Sequence, residues 1–332
     1  MRPVRAIVYG LGSVGRLTTK LLRERGVDVV AAYVRTIEGK DFSAPELQGV
    51  AICQPDTPFE RFGADIALLT HCTTINDLFQ PAMRAAAAGL DVATVAEDAF
   101  EPFFLDEELG RCHQLDAAFR SHGRTLCGVG VQDTFWFAQP LAFTAAANRI
   151  DRLIGRNVAD LGAFGRGALH HPINLSPDEF AARATGGGHG RGIFPTGLRP
   201  LIRALGWNVV QVTSTLEPVF AEKDIHIEKF GLHIAAGRTR GTLDRTVFEL
   251  DSGVRLEGEF IMTFLGEGQG AYNEWVIEGS PSMNMRTDDF HGDVITSASL
   301  VNRVPDVIAA PAGFLSVDQL PAPRLQRAPA IR

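Results

Sequence analysis

The strand-like run DVATVA, residues 91–96, ends directly on two carboxylates, Glu97 and Asp98, before aromatic residues resume at Phe100. A carboxylate in apolar surroundings is desolvated, and desolvation raises its pKa toward the range where it exchanges protons near neutral pH. Glu97 is therefore our candidate catalytic acid or base. The alternative is an acid that stabilises a helix N-terminus through the helix dipole, a role that suits Asp98 better.

A glycine-rich segment near the N-terminus, GLGSVG, follows a predicted strand and opens a predicted helix. In this pattern the first glycine permits a tight turn, the second lets the backbone approach a pyrophosphate, and the third lets helix and strand pack closely. The helix N-terminus adds free N–H groups and a partial positive charge. The segment predicts a dinucleotide site made by Gly10, Leu11, Gly12, Ser13, Val14 and Gly15.

The second predicted strand ends in YVRT, so that Arg35 and Thr36 stand where an NAD-specific fold usually has an acidic residue for the ribose hydroxyls. A guanidinium at this point suits a 2′-phosphate, because it makes charge-assisted hydrogen bonds. We therefore expect NADP to be the preferred cofactor and NAD to be tolerated. The alternative is that Arg35 is a solvated surface arginine.

Strands and helices alternate through the first half of the chain, which is typical of parallel βαβ units. Near Arg149 the pattern changes to strands at antiparallel spacing. We predict an α/β fold with a Rossmann-type doubly wound parallel sheet and a second α+β domain built on a mostly antiparallel sheet. The predicted domains are 1–148 for dinucleotide binding, 149–290 for substrate binding and dimerisation, and 291–332 as a segment that returns to the Rossmann domain.

Open α/β sheets bind their ligands at the carboxyl ends of the strands, and the strands on either side of the one before Glu97 also end in polar residues. One leads into THCTT, residues 70–74, and the other into GVGVQDTFW, residues 128–136, with Gln132 and Asp133. We expect Cys72, Thr73 and Thr74 to border the nicotinamide. Further candidates for the substrate pocket are Phe135, Asn157 and His189.

Several segments, in their order along the chain, resemble one group of proteins: GLGSVG, EGKDF, VATVAED, GVGVQDTFW, GGGHGRG and VNRVPDVIAAPAGFLSVDQLPAPR. The chain resembles the dihydrodipicolinate-reductase-like superfamily, and within it the diaminopentanoate dehydrogenases and native amine dehydrogenases. The resemblance implies that Glu97 is catalytic, that the Trp136 ring lies in the substrate pocket, and that Asn302 lies near the nicotinamide. Many relatives have an NPGF-type segment in place of VQDTFW, and this departure resembles the ketone-aminating branch more than the diaminopentanoate branch.

The residues that would grip a dicarboxylate substrate are absent from the sequence. Residues 168–180, ALHHPINLSPDEF, keep the histidine pair of dihydrodipicolinate reductases but not their lysine or small-residue clamp, and none of the four lysines follows a strand of the predicted rim. Arg152 or Arg156 could hold one carboxylate or could equally form a structural ion pair. We expect a neutral ketone or aldehyde, or a keto acid gripped at its far end.

Composition limits the partners and the compartment. The net charge of −7 argues against nucleic acid, whose phosphates require clustered basic residues, and no apolar run approaches the ~20 residues of a membrane helix. The four cysteines show neither zinc spacing nor a CxxC pair, so we expect no metal and reduced thiols in the cytoplasm. A homodimer is expected from the antiparallel sheet and from the resemblance.

Together these features predict an NAD(P)H-dependent amine dehydrogenase, which interconverts a small ketone or aldehyde plus ammonia with a primary amine. Two alternatives stay open at the level of the sequence. One is an NADPH-dependent reductase of a cyclic imine or carbonyl that does not use ammonia. The other is a non-catalytic NADP-binding sensor in which Glu97 is structural.

Overall fold

The computed structural model describes residues 2–104, 108–185, 194–266, 268–326 and 330–331. The chain divides into two compact units: unit 1 comprises residues 1–138 and 292–332, and unit 2 comprises residues 139–291. The first change of unit therefore comes before the predicted boundary at 148/149, and the second lies next to the predicted 290/291. No helix in the described part of the chain is both long and apolar enough to cross a bilayer.

The strands are β1 (Arg2–Pro3), β2 (Arg5–Tyr9), β3 (Asp28–Tyr33), β4 (Ala51–Cys53), β5 (Ile66–Leu69), β6 (Asp91–Thr94), β7 (Thr125–Gly128), β8 (Arg149–Asp160), β9 (Val209–Phe220), β10 (Ile225–Ile227), β11 (Leu232–Ile234), β12 (Thr239–Leu250), β13 (Arg255–Thr263), β14 (Tyr272–Ser280), β15 (Met283–Asp288), β16 (Gly313–Leu315) and β17 (Ala330–Ile331). The α-helices are α1 (Ser13–Glu24), α2 (Ile75–Ala87), α3 (Leu109–Ser121), α4 (Gln139–Thr144), α5 (Pro177–Thr185), α6 (Phe194–Gly197), α7 (Arg199–Ala204) and α8 (Gly292–Ala309).

Unit 1 is built on a seven-stranded sheet in the order β16-β7-β6-β5-β2-β3-β4, in which every neighbouring pair is parallel. From β2 the chain first adds β3 and β4 on one side and then β5, β6 and β7 on the other. The strand order therefore reverses between β2 and β5, which is the point where open α/β sheets bind ligands. The predicted Rossmann-type sheet is confirmed.

Helices cover both faces of this sheet. Alternate residues of each strand point to opposite sides, and apolar residues on both sides are buried against these helices. On β2, Ile7 and Tyr9 belong to the core cluster that contains residues of α2 and α3. Ala6 and Val8 belong to the cluster that contains residues of α1 and α8. A strand buried on both faces reads as a continuous apolar run, which explains the sequence RAIVY.

The C-terminal segment belongs to unit 1, where it supplies a helix and the edge strand of the main sheet. On α8, Leu300, Val301 and Val304 are buried in the core. β16 pairs in parallel with β7, and β17 pairs antiparallel with β1. The first and last parts of the sequence are thus joined in one sheet-and-helix body.

Unit 2 is built on a six-stranded sheet in the order β15-β14-β8-β13-β12-β9. The pair β8-β13 is parallel, and the other four pairs are antiparallel. Aromatic rings pack closely on one face of this sheet: a Cβ added to Gly155 would lie 2.6 Å from Trp275, and one added to Gly258 would lie 2.6 Å from Phe194. The predicted α+β arrangement with a mostly antiparallel sheet is confirmed.

Ion pairs cross the strands on unit 2's other face. Arg152 contacts Glu257 at 2.6 Å and Glu278 at 2.9 Å. Arg156 contacts Glu259 at 2.6 Å and Glu274 at 3.1 Å. Of the two roles that the sequence left open for these arginines, the structure shows the structural ion pair.

Candidate active site

The glycine segment forms a tight loop between β2 and α1. Gly10 has a φ of +108°, a conformation that L side chains rarely adopt, and its N–H donates to Tyr33 O at 3.0 Å. A Cβ on Gly15 would lie 1.7 Å from Gly10 O, so only glycine permits this close approach of helix and loop. A Cβ on Gly12 would have no atom within 4 Å among the described residues. Gly12 therefore faces open space at the turn.

The N-terminus of α1 keeps its donors available for a ligand. Gly12 is the N-cap, no side chain caps the helix, and the first turn holds no acidic residue. The helix therefore presents unsatisfied N–H groups and its positive dipole end beside the open face of Gly12. Both features fit a dinucleotide pyrophosphate, which needs close backbone approach and anion-binding donors.

Basic residues border the same loop where a cofactor ribose would lie. Arg35 and Thr36 follow β3 and are exposed, and Arg35 makes no hydrogen bond or ion pair with another described residue. Arg16, in the first turn of α1, donates from Nη2 to Asp41 O at 3.1 Å. Sequence reasoning missed Arg16, although its position one residue after GLGSVG could have pointed to it.

His71 is a second residue that sequence reasoning missed, although it lies inside the THCTT segment. Its ring centroid is 4.6 Å from that of Tyr9, which stacks on Tyr33 at 5.3 Å. Burial lowers the pKa of His71, and the nearby Arg35 charge lowers it further, against raising contributions from the backbone and Asp77. The His71 ring extends an aromatic surface beside the glycine loop.

The residues expected to border the nicotinamide follow β5 at the same edge. The Thr74 hydroxyl accepts from Asp77 N–H at 3.2 Å and donates to Asp77 Oδ2 at 3.0 Å, so it caps α2. Burial raises the pKa of the Cys72 thiol to about 12, helped by Asp77 and Asp98. Cys72 is therefore a neutral side chain, and the structural task of Thr74 is to cap α2.

Glu97 lies just beyond the carboxyl end of β6, half-buried, at the start of a 3-10 turn over Glu97–Phe100. The strand end that carries it is firmly held. The Thr94 hydroxyl donates to Leu69 O at 3.0 Å and accepts from Ala96 N–H at 3.1 Å. The geometry thus fixes the backbone on which the Glu97 carboxylate is mounted.

The turn after Glu97 is held from two further directions. Asp98 N–H donates to Thr73 O at 3.1 Å, and Asp98 Oδ2 accepts from Ile75 N–H, the first residue of α2, at 3.1 Å. On the other side, a Cβ on Gly128 of β7 would lie 2.5 Å from the Ala99 carbonyl carbon. Asp98 therefore accepts from a helix N-terminus, the kind of role for which the sequence favoured it over Glu97.

The QDTFW segment leads into a π-helix over Asp133–Ala138. Asp133, which the sequence placed at the rim, is 0% exposed and pairs instead with Arg303 of α8, at 2.5 Å to Nε and 2.8 Å to Nη2. Desolvation raises the pKa of Asp133, and Arg303 opposes that shift. Trp136 is 2% exposed and Phe135 is half-buried.

The structure disagrees with the implied position of Asn302 beside the nicotinamide. Asn302 Oδ1 accepts from the guanidinium of Arg25 and from Gln326 N–H at 3.2 Å. Arg25 is the C-cap of α1, a 12-residue helix, and so lies about 18 Å from the glycine loop. Asn302 therefore faces the wrong end of α1, and we exclude it from the cofactor residues.

The two remaining pocket candidates belong to the unit 2 part of the chain. Asn157 on β8 is 1% exposed, and its Nδ2 donates to no described residue. His189 lies outside the described residues, in the gap between 185 and 194. Within the described residues there is no group of three or more His, Cys, Asp or Glu side chains that could hold a metal ion.

In unit 1, then, five strands lead at one sheet edge into the glycine loop, the end of β3, the loop after β5, Glu97 and Gln132.

Known proteins that are similar to this chain indicate its family. A family model described as the 2,4-diaminopentanoate dehydrogenase C-terminal domain matches residues 139–329. The 2,4-diaminopentanoate dehydrogenase of Acetoanaerobium sticklandii is 23% identical over 98% of this chain and 95% of its own.

Solved structures agree with that match. The amine dehydrogenase from Mycobacterium smegmatis superposes with a TM-score of 0.85, at 30% identity and with 97% of each chain covered. A scyllo-inositol dehydrogenase from Lactobacillus casei, solved with NAD(H), superposes with a TM-score of 0.53 at 16% identity, covering 86% of this chain and 76% of its own, which shows the fold alone. The chain belongs to the 2,4-diaminopentanoate dehydrogenase family, among the NAD(P)-dependent dehydrogenases that act on CH–NH2 groups.

Proposed function

We propose that this protein catalyses the reductive amination of a small ketone or aldehyde with ammonia, and the reverse oxidative deamination. The observation that carries the proposal is the position of Glu97. Its half-buried carboxylate is mounted on a rigid turn at the carboxyl end of β6, two strands from the dinucleotide loop that follows β2. An acid or base held at this edge can reach a substrate that meets the nicotinamide.

The reaction is carbonyl plus ammonium plus NAD(P)H to amine plus water plus NAD(P)+, and it requires several proton movements. The Glu97 carboxylate takes a proton from ammonium to release the nucleophile, and returns it to the carbinolamine hydroxyl, which leaves as water. Ionised again, it stabilises the positive charge of the iminium. The nicotinamide, when bound, supplies the hydride.

The proposed substrate carries no carboxylate beside the reacting carbon. Arg152 and Arg156, the candidates of the sequence for such a carboxylate, are each engaged by two glutamates. The name of the Mycobacterium smegmatis relative, an amine dehydrogenase, supports the same choice. We keep Phe135, Trp136 and Asn157 as proposed pocket residues, and His189 on the strength of its sequence alone.

Replacing Glu97 by Gln tests the reaction. Without an ionisable group, ammonia activation and water loss lose their proton carrier, so kcat should fall ~100-fold or more, while the dissociation constant of the cofactor stays unchanged. The matched control is Asp98→Asn, because the amide oxygen can still accept from Ile75 N–H. Steady-state kinetics with NADPH, ketone and ammonium measure both. An undiminished kcat in Glu97→Gln would remove the proposed mechanism.

We also propose NADP as the preferred cofactor. The exposed Arg35 after β3 and Arg16 in the first turn of α1 offer guanidinium groups that suit a 2′-phosphate, and Val34, Arg35 and Thr36 include no acidic residue for ribose hydroxyls. A lost hydrogen bond to a charged group costs ~1.5–3 kcal/mol, so Arg35→Ala should weaken NADPH binding by roughly 10- to 100-fold and leave NADH binding unchanged. KM values for both cofactors measure this. An unchanged preference would make Arg35 a surface residue.

A carbonyl or cyclic-imine reductase on the same fold is the second candidate function. Its support is that the Glu97 chemistry also protonates an alkoxide or imine nitrogen. Such an enzyme would oxidise NADPH at a rate independent of ammonium, whereas an amine dehydrogenase depends on it. A sensor would show no turnover with any carbonyl compound and no effect of Glu97→Gln on its output.

For the assembly and compartment we propose a homodimer in the cytoplasm. All four cysteines are free thiols, which suits a reducing compartment. Light scattering in solution should give twice the chain mass of 35.9 kDa, and a mass of one chain would contradict the dimer.

A further inference from the structure

The side-chain amide of Gln132 is the most conspicuous polar group of unit 1 without an assigned role. Gln132 is 5% exposed, and its Oε1 accepts no hydrogen bond from any described residue. A buried acceptor left without a donor is unfavourable, because it has lost its hydrogen bond to water, and native proteins keep few such groups. A ligand that donates to Oε1 would recover this cost.

The surroundings of the amide show where such a ligand would lie. A Cβ on Gly130 would lie 3.2 Å from Gln132 Oε1, 3.4 Å from Thr296 Cγ2 and 3.8 Å from Val95 Cγ1. Val95 is two residues before Glu97. Ser297, next to Thr296, donates from its hydroxyl to Val14 O of the glycine segment at 3.3 Å. The amide thus lies at the carboxyl end of β7, between the turn that carries Glu97 and the start of α1.

The neighbouring residue, Asp133, holds the segment in place. Asp133 already anchors it to α8 through the buried Arg303 pair, so Gln132 is not needed for that anchor. A side chain at position 130 would cover one side of the amide, and Gly130 leaves that side open. The acceptor is therefore held in place, buried and unpaired at the sheet edge where ligands of this fold bind.

We propose that Gln132 orients the nicotinamide: its Oε1 accepts a hydrogen bond from the carboxamide NH2 of the bound cofactor and so sets which part of the ring meets Glu97. This inference rests on the proposed function only in that a nicotinamide dinucleotide binds. It assigns to Gln132 a role that neither the glycine loop nor the catalytic acid can fill, because neither recognises the carboxamide.

The experiment is a binding cycle between Gln132→Met and a cofactor that lacks the donor. NADP+ and its 3-acetylpyridine analogue, in which a methyl group replaces the carboxamide NH2, are titrated into each protein by calorimetry. Wild type should bind NADP+ ~5- to 10-fold more tightly than the analogue, the scale of one hydrogen bond. Gln132→Met should lose that factor for NADP+ and nothing for the analogue.

Two further variants keep the result interpretable. Gln132→Glu retains an acceptor and should retain the preference for NADP+ over the analogue. Gln80→Met, at an exposed position of α2, should leave both affinities unchanged. In the absence of cofactor, Gln132→Met should melt no earlier than wild type, since it removes an unpaired buried oxygen.

Equal weakening of both cofactors in Gln132→Met would show a merely structural residue and overturn the proposal. Unchanged affinities with a raised KM for ammonium would move the contact to the substrate and also overturn it. Either outcome leaves the amine dehydrogenase function intact. If wild type binds neither NADP+ nor NAD+, the proposed function fails with it.

Discussion

At the scale of single residues, Asp91 shows how a buried carboxylate couples the active-site strand to pH. Asp91 opens β6 and is 3% exposed; its Oδ1 accepts from Thr125 N–H at 2.8 Å, and Arg124 lies 3.4 Å away. Burial raises its pKa from 3.8 to about 6, although both neighbours oppose the shift. Between those two values the folded state binds more protons than the unfolded state, so stability falls as the pH rises.

Asp91→Asn should remove this loss. The amide oxygen can still accept from Thr125 N–H, and no charge is buried above pH 6. The free energy of unfolding of the variant relative to wild type should therefore rise by about 2 kcal/mol from pH 4 to pH 7, as measured by calorimetry at both values. Asp41→Asn is the control of opposite sign, because the Ser43 N–H lowers the pKa of Asp41. A pH-independent difference for Asp91→Asn would contradict this.

The residue types were enough to predict the chemistry of the site, but they did not predict the direction in which every side chain points. Gln132 and Asp133 are adjacent in a predicted rim, yet Asp133 turns to Arg303 in the core, and Asn302, adjacent to Arg303, faces the end of α1. Such choices depend on the π-helix and on a helix some 170 residues away, which no local pattern encodes. Gly15 could be assigned because its tightest contact, with Gly10 O, lies within the same loop.

At the scale of elements, two glycines of the loop between β2 and α1 have different tasks, one in folding and one in ligand binding. The Gly15 position cannot hold a side chain, because a Cβ would overlap Gly10 O, whereas the Gly12 position can, because a Cβ would meet no described atom within 4 Å. Gly15 is therefore needed for the loop to form. Gly12 is needed only where a pyrophosphate must come close.

Gly12→Ala should weaken dinucleotide binding at least tenfold, because the added methyl group occupies the space of the phosphates. The melting temperature should change little, because the substitution at the N-cap removes only part of the N-cap's contribution to helix stability. Binding titration and calorimetry on the same sample measure the two effects. Gly110→Ala, in α3 with equally open space around it, should leave binding unchanged and stabilise by roughly 0.5–1 kcal/mol. Unaltered affinity in Gly12→Ala would place the cofactor elsewhere.

The helices and strands could be predicted where their apolar residues recur with a regular period. The parallel sheet of unit 1 follows from buried runs alternating with amphipathic helices, and the strands of unit 2 follow from their own alternation. The π-helix at Asp133–Ala138 left no such signal. The change of unit at 138/139 comes directly after that element, ten residues before the change of sequence pattern near Arg149.

At the scale of the whole molecule, unit 1 is discontinuous: residues 139–291 intervene between its two parts. Its core is completed by α8, and its edge by β16 next to β7. Arg303 and Asp133 join the two parts through an ion pair that is 1% and 0% exposed on its two sides. A carboxylate buried without its cation costs several kcal/mol, so we expect the first part of unit 1 to depend on α8 for its stability.

This buried pair has a consequence for synthesis on the ribosome. The N-terminal 138 residues emerge first but must wait for some 165 more before Arg303 becomes available to neutralise Asp133. The intervening unit 2 has a sheet of its own and can fold during that delay. We therefore expect a nascent chain released before α8 to retain an ordered middle segment, while its nucleotide-binding portion remains open to proteases.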